Sequence, residues 1–126
     1  LLTYNCDIMY GLKKLTPSWE INALALEAAG YSLKQNMDSV IEEIQKEKSI
    51  LSDNLENSGI VTFPSKVNFL LCKYKKNLSK ELLEHGIIVR DCSDFIGLNE
   101  NYFRVAVRTN PENNLLVDTI QKIIRG

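Results

Sequence analysis

Hydrophobic positions keep helical spacing up to Gly59 and turn to short strand-like runs beyond it. Ile21, Leu24, Ala25, Ala28 and Ala29 recur as one helical face. Thr16-Pro17 predicts the start of that helix, with Thr as cap and Pro at the first helical position. The opposite face is thin in charge, which predicts cover on more than one side. Leu1 to Leu15 have apolar positions without a clean period and read as a helical or irregular lead-in. A second helix is predicted over about Met37 to Asn57. Its apolar stripe is Met37, Val40, Ile41, Ile44, Leu51 and Leu55. Glu42, Glu43, Lys46, Glu47 and Lys48 hold its wet side, with Glu42 and Lys46 in the favourable i,i+4 order. Ser58-Gly59 ends it, Gly being the usual residue past a helix C-terminus.

Ile60 to Phe63 then reads as a strand, closed by Pro64-Ser65. Val67 to Tyr74 reads as another, and its nearly unbroken apolar middle predicts burial on both faces. A short helix over about Leu78 to His85 stops at Gly86, and Ile87 to Arg90 and Tyr102 to Arg108 follow as a third and fourth strand. Thr109-Asn110-Pro111-Glu112 opens the last helix with a cap, an N1 proline and a capping-box glutamate. That helix is expected to bury Leu115, Leu116, Ile120, Ile123 and Ile124. The order of elements predicts an α+β sandwich: a small, mostly antiparallel sheet with helices packed on one face. No internal repeat, low-complexity tract or linker interrupts it, so residues 1–126 are expected to form a single domain.

Composition narrows the class without naming a chemistry. The length of 126 residues suits one domain, and 44% hydrophobic with 25% charged residues is ordinary for a soluble protein. No run approaches the ~18 apolar residues of a membrane span, and no basic-then-apolar leader opens the chain. A net charge of −1 with both signs interspersed lacks the clustered basic stripe of nucleic-acid binders. These features predict a cytoplasmic protein with neither membrane nor nucleic acid as partner. Cys6, Cys72 and Cys92 lie far apart with no C-x-x-C spacing, which fits a reducing compartment. With His85 as the sole histidine, no metal site is expected. Leu1-Leu2-Thr3 carries no initiator Met, which reads as a chain beginning inside a longer protein.

The residues that could carry chemistry are arginines. Strand alternation puts Phe103, Val105 and Val107 on one face and Arg104, Ala106 and Arg108 on the other. The second set points away from the helices, and Arg90 at the end of the preceding strand is a candidate neighbour. A guanidinium holds a carboxylate or phosphate through two parallel hydrogen bonds. Arg104 and Arg108 stand about 13 Å apart at strand rise, too far to grip one small group alike. Two anionic sites, or one site and one structural pair, are therefore expected. The alternative is a solvated face, or pairing with Asp91, Asp94 or Glu100.

Other candidates read as structural. His85 precedes a helix-ending Gly and suits capping. Cys92 beside Ser93 reads as inert, and Trp19 as a packing anchor. No G-x-G-x-x-G or G-x-x-x-x-G-K-[ST] phosphate loop is present.

The stretch GIIVRDCSDFIGLNENYFRVAVRTNPENN, Gly86 to Asn114, resembles a segment near the C-terminus of class I/II aminotransferases. It is similar above all to the histidinol-phosphate aminotransferase and L-threonine-O-3-phosphate decarboxylase branches. These share a G-[IV]-x-[VI]-R strand, a loop ending G-L and an [LFY]-R-[IV]-x-[VI] strand. Pro17 to Ala29 (PSWEINALALEAA) resembles the family's P-W-x-[VI]-N-x-[LI]-A-x-x-A helix, and Val67 to Leu71 its N-[FY]-[LI] strand. The resemblance implies the C-terminal domain of a fold-type I pyridoxal-phosphate-dependent enzyme. Residues 1–35 would be a lead-in and interdomain helix, and 36–126 the C-terminal sandwich. It further implies that Arg104 binds the substrate carboxylate and Arg90 helps hold a substrate phosphate. Arg108 stands where the aminotransferases usually have Gly and the decarboxylases a second arginine; we count it as a third substrate-binding candidate.

The resemblance implies pyridoxal 5'-phosphate for the intact enzyme, held on a lysine in an S-x-x-K context before the Pro17–Trp19 helix. Lys13 and Lys14 sit too close to that helix, so no catalytic or cofactor-binding residue is assigned within residues 1–126 and the piece alone is expected to be inactive. The missing N-terminal large domain, a homodimeric state and a small phosphorylated amino substrate are the implied partners. The favoured activity is threonine-phosphate decarboxylation in cobalamin biosynthesis, against transamination of histidinol phosphate. A free-standing anion-binding or dimerisation module is the rival from another class. Loss of a partner surface predicts an exposed apolar patch on the arginine-bearing sheet face and the Thr16 to Ala29 helix.

Overall fold

The computed structural model describes residues 6–15 and 21–126. The chain divides into two compact units, Leu1–Met37 and Asp38–Gly126. In the first, α1 (Cys6–Leu15) is a regular helix, with Asp7 in its first turn and Lys13 and Lys14 in its last, the polarity the helix dipole favours. The second helix, α2 (Ala23–Ser32), is capped by Asn22, whose side-chain oxygen accepts the Ala25 N–H at 2.8 Å. The predicted start at Thr16-Pro17, and Trp19, lie outside the described residues. Cover on more than one side is not observed: every residue of α2 is exposed, Leu24 to 85%. An exposed apolar helix is the outcome expected of this segment where a partner surface is lost. Ala and Leu have the strongest intrinsic helix propensity, so a composition that suggests burial also suits an exposed helix.

The second unit is the predicted sandwich. Its elements are α3 (Asp38–Asn57), β1 (Val61–Phe63), β2 (Phe69–Lys73), α4 (Leu78–Glu84), β3 (Arg90–Asp91), β4 (Tyr102–Ala106) and α5 (Asn110–Arg125). The strands form one antiparallel sheet in the order β1-β2-β4-β3. Leu70, Cys72, Phe103 and Val105 leave one face and join Leu51, Leu55, Leu78, Leu82, Leu116, Val117 and Ile120 from the helices in a single core. Both α3 and α4 end on left-handed glycines, Gly59 at φ 82° and Gly86 at φ 78°. Beyond each, the next residue's N–H returns to the helix, Ile60 to the Leu55 carbonyl at 3.0 Å and Ile87 to Leu82 at 2.9 Å. This closure turns the chain straight into the following segment.

Four local expectations are corrected. Strand β2 is not buried on both faces: Leu70 and Cys72 are buried, whereas Phe69 and Leu71 are half-buried on the other side. Strand β3 shrinks to two residues. Ile87 and Val89 pack against the core but form no ladder, and the Ile87 N–H is spent on the Leu82 carbonyl. In α5, Leu115 is 61% exposed and Val117 takes the core position instead. Lys48, assigned to the wet side of α3, is only 7% exposed. Its amine donates to the carbonyls of Ser65 at 2.7 Å and Val67 at 3.2 Å. A buried ammonium needs such acceptors, and these tie the β1–β2 loop to α3.

Candidate functional site

Strand register decides which arginines meet. In β3–β4 pairing Arg90 is the direct partner of Arg104, and in β2–β4 pairing Arg104 is the partner of Leu71. Directly paired residues project to the same side, with Cβ atoms about 4.5–5.5 Å apart. Arg90 and Arg104 therefore share the sheet face opposite the helices, together with Phe69, Leu71 and Ala106.

Their surroundings differ. The Arg104 guanidinium carbon lies over the Phe69 ring, 4.3 Å from its centroid. Among the described residues the side-chain ion pairs are Arg90–Asp94 and Arg108–Glu112, so no carboxylate neutralises Arg104. Arg90 donates from Nη2 to Asp94 at 2.5 Å and sits 5.5 Å from the Phe95 ring. The Asp94 hydrogen bond and charge hold the Arg90 proton more tightly than usual. That pair is open to solvent, with side chains 49% and 60% exposed, and such pairs are weak.

Arg108 stands apart, beyond the end of β4. Its Nε and Nη2 donate to one Glu112 oxygen at 3.2 and 2.7 Å. The other Glu112 oxygen accepts from the Thr109 N–H and hydroxyl, at 3.3 and 2.6 Å, which is the glutamate half of the expected capping box. Arg108 and then Thr109 pull the Glu112 carboxyl down to about 2. Asn113, buried, clamps the Arg108 main chain by accepting its N–H at 3.0 Å and donating to its carbonyl at 2.9 Å. The open groove beside it, about 330 Å³, also presents Glu43 and Glu47. These carboxylates make it a poorer place for an anion than the face carrying Arg104.

The remaining candidates are structural here. His85 is the C-cap residue of α4, and its Nδ1 is 2.9 Å from the Glu81 carbonyl oxygen. Cys92 is buried, its thiol donating to the Arg90 carbonyl at 3.6 Å, and burial pushes it away from thiolate. Burial likewise pushes Cys72 up to about 12. Sequence inspection missed Phe69 as the ring beneath Arg104. The alternation of Phe69, Leu71 and Lys73 in β2 was the available signal, but the register that brings Phe69 to Arg104 was not. It also missed Glu112 as the partner of Arg108, having read it only as a cap.

A pyridoxal phosphate site needs a lysine amine, an acid for the ring nitrogen and a phosphate cup. The buried amine among the described residues, that of Lys48, is occupied by two carbonyls. The sheet face opposite the helices carries, instead of such an amine, the guanidiniums of Arg90 and Arg104.

A sequence profile described as aminotransferase class I and II matches residues 3–120. The chain belongs to this family. It is 36% identical to the adenosylcobalamin biosynthesis bifunctional protein CobDQ of Leptospira interrogans, over 94% of this chain and 15% of that one. The histidinol-phosphate aminotransferase of Clostridium acetobutylicum superposes with a TM-score of 0.69 at 30% identity, covering 98% of this chain and 39% of that one. The L-threonine-O-3-phosphate decarboxylase of Porphyromonas gingivalis does so with a TM-score of 0.69 at 27% identity, covering 97% and 40%. The α+β sandwich is therefore that of fold-type I aminotransferases, and the chain spans well under half the length of these relatives.

Proposed function

We propose that this chain is the substrate-side part of a pyridoxal-phosphate-dependent enzyme that decarboxylates threonine phosphate in cobalamin biosynthesis. The observation that carries the reading is the cross-strand pair of Arg90 and Arg104, with Arg104 free of any carboxylate among the described residues. Threonine phosphate carries a carboxylate and a phosphate on adjacent carbons. Two guanidiniums paired across a ladder suit two anions so close together. Arg104 takes the carboxylate. Arg90 takes the phosphate, exchanging its exposed pair with Asp94 for a more highly charged partner. Arg108 could join only by leaving Glu112, so we give it a secondary place.

Pyridoxal phosphate, when bound, supplies the electron sink for loss of carbon dioxide. Its lysine and phosphate cup would come from the large domain of the same protein, in a homodimer. Three free cysteines support a cytoplasmic setting. A second reading, transamination of histidinol phosphate, is favoured by the Clostridium acetobutylicum structure, which superposes as well as the decarboxylase. The two part on one experiment. The full-length protein with its cofactor is given threonine phosphate and, separately, histidinol phosphate. Carbon dioxide from the first with no amino transfer from the second supports the decarboxylase; the reverse result establishes the aminotransferase.

A further inference from the structure

We infer that Phe69 is a positioning residue for Arg104, an aromatic platform that orients the guanidinium toward a carboxylate without neutralising it. The inference rests on the proposal that Arg104 is a substrate anchor. Phe69 pairs with Ala106 across the β2–β4 ladder, which places it one diagonal step from Arg104 on the same face. Such diagonal neighbours are within reach of aromatic and long side chains. The guanidinium carbon is 4.3 Å from the ring centroid, the closest of the cation–ring contacts among the described residues.

The chemistry of the two groups explains why a ring serves here better than an acid. A guanidinium donates its hydrogen bonds in its own plane, whereas an aromatic face attracts it from above or below. A ring can therefore fix the group and leave the in-plane fork free for a bidentate carboxylate. Asp94 and Glu112 do the opposite to Arg90 and Arg108, because each occupies donors that an anion would need. Phe69 itself is held by its strand. The Asn68 carbonyl accepts the Val107 N–H at 2.8 Å, and Lys48 ties the Val67 carbonyl to α3. An arginine with many rotamers thus gains a preferred direction before the substrate arrives.

The test uses the full-length enzyme and two probes: threonine phosphate, and the phosphorylated amino alcohol that remains once its carboxylate is lost. Phe69→Leu should weaken threonine phosphate binding about fivefold to tenfold, the size of a partly desolvated cation–π contact. It should leave the carboxylate-free probe unchanged, and Phe69→Tyr, which keeps a ring, should restore threonine phosphate binding. If Phe69→Leu weakens both probes equally, or neither, the platform is wrong. If Arg104→Lys also leaves threonine phosphate binding intact, or the unmodified enzyme does not bind it, the underlying site assignment falls as well. A loss in Arg104→Lys with none in Phe69→Leu removes the platform alone.

Discussion

The two faces of the four-stranded sheet are built from the same strands and obey different constraints. Toward the helices, Leu70, Cys72, Phe103 and Val105 are all but sealed from water and their identities follow from packing. On the other side Phe69, Leu71 and Arg104 are half-buried, and Arg90 and Ala106 are exposed. That side contains a cation on a ring and a second cation directly across the ladder. A face that needed only to meet water would be served by scattered polar residues. The difference separates residues whose identity packing fixes from side chains, Arg90 and Arg104 among them, that packing leaves open.

Substitutions should obey the same division. The largest stability effect is expected on the helix side, where Phe103→Ala should cost about 3–5 kcal/mol by leaving a cavity. Leu71→Ala, across the sheet, should cost clearly less in the same urea titration of the full chain. Equal losses would erase the distinction between the faces. A smaller effect is expected at the loop that leads into Phe69. Lys48→Met should cost about 1–3 kcal/mol, because the Ser65 and Val67 carbonyls lose their donor. A neutral result would show that water satisfies those carbonyls just as well.

The smallest effect belongs to the arginine that stands apart. Glu112 is held at about 2 against an ordinary 4.5, so its contribution is present above pH 4.5 and lost as pH falls from there toward 2. Glu112→Gln should therefore be less stable than the parent at neutral pH, with the gap narrowing from pH 4.5 downward and closing as pH falls through about 2. A gap that stayed constant across this range would show that the ion pair with Arg108 does not govern it. Exposed pairs of this kind contribute little, which is why the effect ranks last.

Much of this arrangement was legible in the sequence because it depends on local patterns. The alternation of Phe103 to Val107 sorted the two faces correctly, and Thr109 to Glu112 located the last helix. What escaped depends on partners distant along the chain. Lys48 belongs by spacing to the polar side of α3, yet carbonyls some seventeen residues later bury it. Ile87 and Val89 look like a strand because burial selects the same apolar residues whether or not a ladder forms. Arg90 is an expected neighbour of Arg104 and the ladder pairs the two directly, but the meeting of Arg104 with Phe69 is a matter of register, which neither composition nor periodicity specifies.

The deciding property of the molecule is whether the face opposite the helices holds an anion. The most direct measurement is the affinity of the full-length protein for threonine phosphate, with and without Arg104→Ala, alongside thermal melting. Loss of a charge-assisted bond of about 1.5–3 kcal/mol should weaken binding roughly tenfold to a hundredfold or more. Melting should shift far less than it does for Phe103→Ala. Unchanged affinity, or a loss that merely follows a collapse in stability, would contradict anion binding on that face.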